Sequence, residues 1–150
     1  MSYTNADGLR VLTDGDAGTP ANNGLNAVPA LKTMVVTVDA TAGAVDFNNG
    51  EDAAIPAGSF LKSATLFATT TLAGGTSIDL GFVDAAGTAI DADGIVDAAT
   101  LAEINAGHVC DGADVGTVIS ASDDAYVSVS VVTGTFTAGV AKLVLEYIEA

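Results

Sequence analysis

From Lys32 onward, apolar and polar positions alternate with a period of two, the pattern of strands that cover one face and expose the other. Met34, Val36 and Val38 alternate with Val35, Thr37 and Asp39, which predicts a half-buried strand. Val45 and Phe47 predict a second short strand ahead of the Asn49-Gly50 turn. Phe60 to Thr70 is apolar on both faces, so it reads as a central strand covered on both sides or lying at a subunit interface. Gly74-Gly75 turns the chain into Thr76–Val83, where Ile78, Leu80 and Phe82 point one way and Ser77, Asp79 and Gly81 the other. Another tight turn follows at Val83–Gly87. Val127, Val129 and Val131 then alternate with Tyr126, Ser128 and Ser130, and Leu143, Leu145 and Tyr147 with Val144, Glu146 and Ile148.

One stretch departs from this period. Asp97 to Ala106 predicts a short connecting helix, with Asp97 as N-cap, Leu101 and Ile104 on one face, and Gly107 at the C-terminal stop. Short strands, Gly-rich turns and a single small helix predict an all-β sandwich or barrel. Residues 1–30 differ. Asp7-Gly8, Asp14-Gly15-Asp16, Gly18-Thr19-Pro20 and Asn22-Asn23-Gly24 are turn signals packed too tightly for regular elements. They read either as an extended arm anchored at Leu9, Val11 and Leu12 or as a disordered leader. Residues 31–150 form the β domain.

Composition sharpens this picture. A chain of 150 residues that is 49% hydrophobic and 15% charged has the makings of one folded domain, burying roughly 70% of the surface its unfolded form exposes. With only 5% aromatics, the core is expected to be thin and built from small and β-branched side chains between sheets about 10 Å apart. Nineteen acidic against four basic residues give a net charge of −15. Arg10, Lys32, Lys62 and Lys142 stand singly, which argues against binding nucleic-acid backbones or anionic membranes. Met1–Asn5 has neither a basic nor an apolar leader segment, and no apolar run approaches the ~18 residues of a membrane span. The expectation is a soluble chain made in the cytoplasm.

The candidate chemistry is sparse. Asp91-Ala92-Asp93-Gly94 has part of a calcium loop, but with Gly94 at the sixth position the first ligand position is Ala89 and the twelfth is Thr100. A solvated turn leading to the helix cap is the simpler reading. Asp111, Asp114, Asp123 and Asp124 form a second acidic set around Gly116–Ala121, at spacings ordinary for surface turns. His108 and the single Cys110 fall on one side of an extended segment, yet no further His or Cys completes a zinc site and no Gly-x-Ser-x-Gly elbow is present. Ala73-Gly74-Gly75-Thr76 lacks a Walker lysine and reads as a turn. Two carboxylates suffice for a glycosidase, but the absence of Trp and the scarcity of Tyr disfavour sugar stacking. The expectation is a protein without enzymatic activity or cofactor.

The run from Ile55 to Leu66, the segment from Leu72 to Asp84, the stretch Ala89–Asp97 and the closing Gly134–Gly139 hairpin occur in an order that resembles small tailed-phage capsid decoration, or cement, proteins. The opening Asn5–Leu9 is similar to the start of a capsid-associated chain with an arm. The resemblance implies a jelly-roll-like antiparallel sandwich that binds the exterior of the expanded shell, commonly as a trimer, and stabilises it. It carries no catalytic residues. On this reading the partners are the major capsid protein and further copies of the chain, and the location is the virion exterior. Tyr3, Leu9, Arg10, Val11 and Leu12 are the expected capsid contacts, and Phe60, Leu61, Leu66 and Phe67 the expected trimer contacts. Two other readings share the composition: another virion part (head fibre, vertex or tail protein) and a cell-surface adhesion or carbohydrate-binding module.

Overall fold

The computed structural model describes residues 2–4, 10–12, 31–41, 44–46 and 54–149. Ser2–Thr4 (β1) and Arg10–Leu12 (β2) pair antiparallel as a two-stranded ribbon. The strands that follow are Leu31–Asp39 (β3), Ala44–Asp46 (β4), Ala54–Ile55 (β5), Phe60–Ala73 (β6), Ser77–Val83 (β7) and Ala89–Thr100 (β8). A helix, Leu101–Ala106 (α1), leads to His108–Val109 (β9), Thr117–Val118 (β10), Ala125–Thr133 (β11) and Ala138–Ile148 (β12). Two antiparallel sheets form the sandwich. One has the order β10-β6-β12-β3-β4 with β9 also on β6, and the other the order β5-β11-β7-β8.

Two neighbouring arches join the sheets and give the sandwich its jelly-roll-like winding. The chain crosses from β6 to β7 at Gly74-Gly75 and back from β11 to β12 at Gly134–Thr137, and β6 pairs with β12 as β7 pairs with β11. The arches bond to each other: Thr76 N–H donates to the Thr133 carbonyl at 2.7 Å, and Thr137 N–H to the Ala73 carbonyl at 2.9 Å. The Phe136 ring lies where a Gly75 side chain would project, so the crossing requires a glycine there. Gly134–Gly139 is therefore no hairpin, because the strands that it joins lie in different sheets.

The core lies between the sheets, where apolar positions two residues apart meet. Val36, Leu66, Leu143 and Leu145 from the six-stranded sheet face Ile78, Leu80, Phe82 and Val96 from the four-stranded one, all fully buried. β6 is central, as its composition predicts, but its pattern is mainly one-sided. Leu61, Ala64 and Leu66 are buried, while Phe60 and Lys62 are exposed. A register shift between Glu146/Tyr147 of β12 changes the spacing from two to three between Leu61 and Ala64. The far edge of β6 is closed piecemeal by β10, β9 and α1, whose Asn105 side chain accepts from Leu72 N–H at 2.8 Å and donates to its carbonyl at 3.1 Å.

The helix is shorter than its pattern predicts. Asp97–Thr100 continue β8, with Ala99 opposite Ile78 and Thr100 opposite Ser77. The N-cap is Thr100, in a reciprocal capping box with Glu103, and Gly107 ends the helix at φ 90°. Asp97 is passed over because the Asp79 carboxylate accepts from Ala98 N–H at 2.8 Å and holds the chain along the sheet, with Ala98 at φ 50°. No helix among the described residues is long and apolar enough to cross a membrane.

Candidate interaction surface

The outer face of the six-stranded sheet gathers the large apolar side chains that the fold leaves uncovered. Leu31, Val35, Phe60, Val109 and Val118 are the exposed large hydrophobics among the described residues, and all five lie on this sheet. Directly opposed residues of an antiparallel pair share a face, so the register orders them into rows. Val118 lies opposite Phe60, Phe60 opposite Ile148, and Ile148 opposite Leu31. A second row runs from Val109 through Thr65 and Val144 to Val35. Between them lies a polar row in which Glu146 accepts from Ser63 Oγ at 2.9 Å and from Lys62 Nζ at 3.2 Å. These two contacts hold the Glu146 carboxyl below its ordinary pKa. Beyond the second row Phe67 lies opposite Lys142, which donates to Thr37 Oγ1 at 3.2 Å.

Charge is divided between the two sides. Lys32, Lys62 and Lys142 all lie on the six-stranded sheet, and Lys32 pairs with Glu149 at its end. No Lys or Arg occurs between Lys62 and Lys142, the span that supplies β7, β8 and β11 of the four-stranded sheet as well as most of β6, α1, β9 and β10. That span carries most of the described carboxylates. The domain thus has one sheet that carries the exposed large apolar side chains and three lysines, and an opposite side that carries carboxylates without a Lys or Arg among the described residues.

The acidic sets of the sequence fall elsewhere. Asp91-Ala92-Asp93-Gly94 is no simple turn: it belongs to β8, where Leu80 pairs with Val96 and Phe82 with Asp91, so that several residues bulge over Gly81. The bulge is held by Gly112 N–H on the Ile95 carbonyl at 3.0 Å and Asp114 N–H on the Gly94 carbonyl at 2.8 Å. This brings Asp114 toward Asp91 and Asp93, and burial, followed by the charges of Asp91 and Asp93, raises its pKa. Asp111 instead sits 3.8 Å from His108 Nε2. Asp123 and Asp124 line an open groove with Asp84, Ser122 and Tyr126. Asp84 is already used there, accepting from Ala86 N–H and Thr88 N–H at 2.8 Å each. The four carboxylates read together as one set are thus in three places. Among the described residues no group of three or more His, Cys, Asp or Glu is placed to hold a metal ion.

The raised carboxyl gives a testable consequence. A carboxylate whose pKa is higher in the folded chain costs stability at neutral pH, and the cost disappears as pH falls below the unfolded value. Asp114→Asn is expected to raise Tm at pH 7 by about 1–3 °C, with no gain near pH 3, about a unit below the ordinary value. Paired thermal melts at the two pH values check this; a lower Tm for the variant at pH 7 contradicts it.

Cys110 is in the core, its thiol pushed up to about 12, mainly by burial and then by Asp111. A thiol held protonated in this way is a poor nucleophile. Of the expected arm contacts, Tyr3 lies opposite Val11, Thr4 opposite Arg10 and Ser2 opposite Leu12 in the ribbon. Leu9 lies outside the described residues. Of the expected trimer contacts, Leu61 and Leu66 are corrected, since both are 0% exposed in the core and no neighbouring molecule can reach them. Phe60 and Phe67 lie on the outer face, exposed and half-buried. The residues missed are Leu31, Val35, Val109 and Val118. Val35 stood in plain view at an outward position of β3, but Val109 and Val118 sit in two-residue strands too short to show a period.

No protein-family model matches the chain, and no curated protein is significantly similar to it. The fold is similar to that of a chain in the solved structure of the cyanophage Pam1 capsid asymmetric unit. The TM-score is 0.53 at 15% sequence identity, and the match covers 100% of both chains.

Proposed function

We propose that this chain is a structural protein of a tailed-phage virion, bound to the exterior of the capsid as a homotrimer and stabilising the expanded shell. The observation that carries the reading is the end-to-end likeness to a chain of a phage capsid. The match extends over 100% of both chains rather than over one part of either. The ordered run of turn and strand signatures from Ile55 to Asp97 supports the same reading.

The surface suits such a role. A clamp needs stiffness, and the two-layer core of the sandwich supplies it. The acidic side keeps the outer surface of a densely coated particle hydrated and mutually repelling. Tyr3, Leu9, Arg10, Val11 and Leu12 reach the major capsid protein, with Arg10 offering a fork for a coat carboxylate. The partners are the coat protein and other copies of the chain, without nucleic acid, membrane or cofactor and without catalysis. The chain is made in the host cytoplasm and resides on the virion.

The test is reconstitution. Purified chain is mixed with particles of its phage that lack it, and bound protein is measured by co-sedimentation. Saturable binding to expanded shells, weakened by deletion of residues 1–30, is expected. No binding to expanded shells overturns the proposal.

A further inference from the structure

We infer that the outer face of the six-stranded sheet is the surface on which copies of this chain meet, the Leu31–Val35 end of β3 in one copy (beyond its pairing with β4) seating on the β9/β10 margin of the next. Only the number of copies, three, rests on the function proposed above; the choice of face does not.

The first argument is charge. Each copy carries −15, so contacts through the β7–β8 side set carboxylates against carboxylates with no Lys or Arg among the described residues to offset them. The charged residues on the outer face of the six-stranded sheet are Lys62, Lys142, Asp39, Glu146 and, opposite Thr37 in the register, Asp46, so two cations stand there against three carboxylates. This is the face on which two copies approach with the least repulsion, whereas a positively charged partner is drawn to the other side.

The second argument is the placement of the apolar groups. Exposure is greatest at the margins: 73% for Val109 and 56% for Val118 on one flank, 47% for Leu31 and 44% for Val35 on the other. Val144 and Ile148, between them, are half-buried. Three faces set as the sides of a triangular prism meet along their margins, joining Leu31 and Val35 of one copy to Val109 and Val118 of the next. Such a heterologous contact closes after three copies. From Val140 to Ile148 and across four strands the face measures about 27 by 14 Å. The two apolar rows occupy part of that area, on either side of the polar row of Ser63 and Glu146.

Val35→Glu and Val109→Glu test the inference, because both positions are solvent-exposed within the single chain and tolerate a charge there. Sedimentation equilibrium of the intact chain is expected to give a mass that is a multiple of 14.7 kDa. Each variant should weaken association at least about tenfold, by burying an unpaired charge at the contact, with unchanged circular dichroism. Asp97→Lys, on the acidic side, should leave the mass unchanged. A monomeric wild-type chain, or variants that associate as before, overturns the inference. A monomer whose variants lose only particle binding also overturns it, and assigns the face to the coat protein. Self-association lost in the variants, in a chain that binds no particle, leaves the inference standing and removes the proposed function.

Discussion

Leu66→Ala is expected to lower the unfolding free energy by about 2–5 kcal/mol, whereas Phe60→Ala should cost under about 1 kcal/mol in the same single-chain assay. Leu66 is fully buried between the sheets, opposite Leu143 and His108 in the register of β6. Truncation there leaves a void that two packed sheets cannot close. Phe60 is 37% exposed on the outer face and borders no part of the core. Urea unfolding of the two variants, at concentrations where the chain is monomeric, separates the layers of the sandwich. Similar losses for both, or a loss at Phe60 alone, contradict the assignment of Leu66 to the core.

Gly81→Ala should be comparably severe for the opposite reason. A β-carbon built on Gly81 runs into the backbone of Asp91 and Ala92 in the β8 bulge. Backbone is the least yielding neighbour that a new methyl can meet, and the bulge is itself tied to the Gly112–Asp114 loop. Overpacking of this kind costs about 1–3 kcal/mol or more, and the displacement should also spread into the contacts of Asp114. The expected result is a Tm lower by several degrees, about 2–4 °C per kcal/mol in a domain of this size. A variant that melts with the wild type shows that the bulge does not lie over Gly81.

How much of this was legible depends on what each residue answers to. The alternation in β3, β7 and β12 follows from covering one face with apolar groups, and any sequence doing so displays it. The sandwich and its inward residues were readable for that reason. The end of β8 was not. Asp97, next to a run with helical spacing, is a plausible cap, but Asp79 (eighteen positions earlier) bonds the backbone beside it and keeps it in the sheet. The better signal was present: Thr100 and Glu103 have the capping-box spacing. The misreading of Leu61 and Leu66 has a different cause. Their strand carries Phe60, Leu61, Leu66 and Phe67 in adjacent pairs. Composition alone does not tell which member of each pair faces in, and a register irregularity at Lys62 shifts the parity between them.

The interaction surface was the least legible part. It consists of rows that cross β9, β10, β6, β12 and β3, and no local window contains a row. Val118 and Leu31 are far apart in sequence and share one row only through Phe60 and Ile148. The division of charge was closer to the surface of the sequence. Lys62 and Lys142 bracket a long stretch without a Lys or Arg, and the fold places most of its carboxylates on or beside β7, β8 and β11.

The central claim is that this chain belongs to the outside of a phage capsid, and its copy number is the most direct measure of that claim. Quantitative mass spectrometry of purified particles should find it in near-stoichiometric amount with the major capsid protein. Absence from the particles would contradict the account, and so would a few copies confined to a vertex or tail.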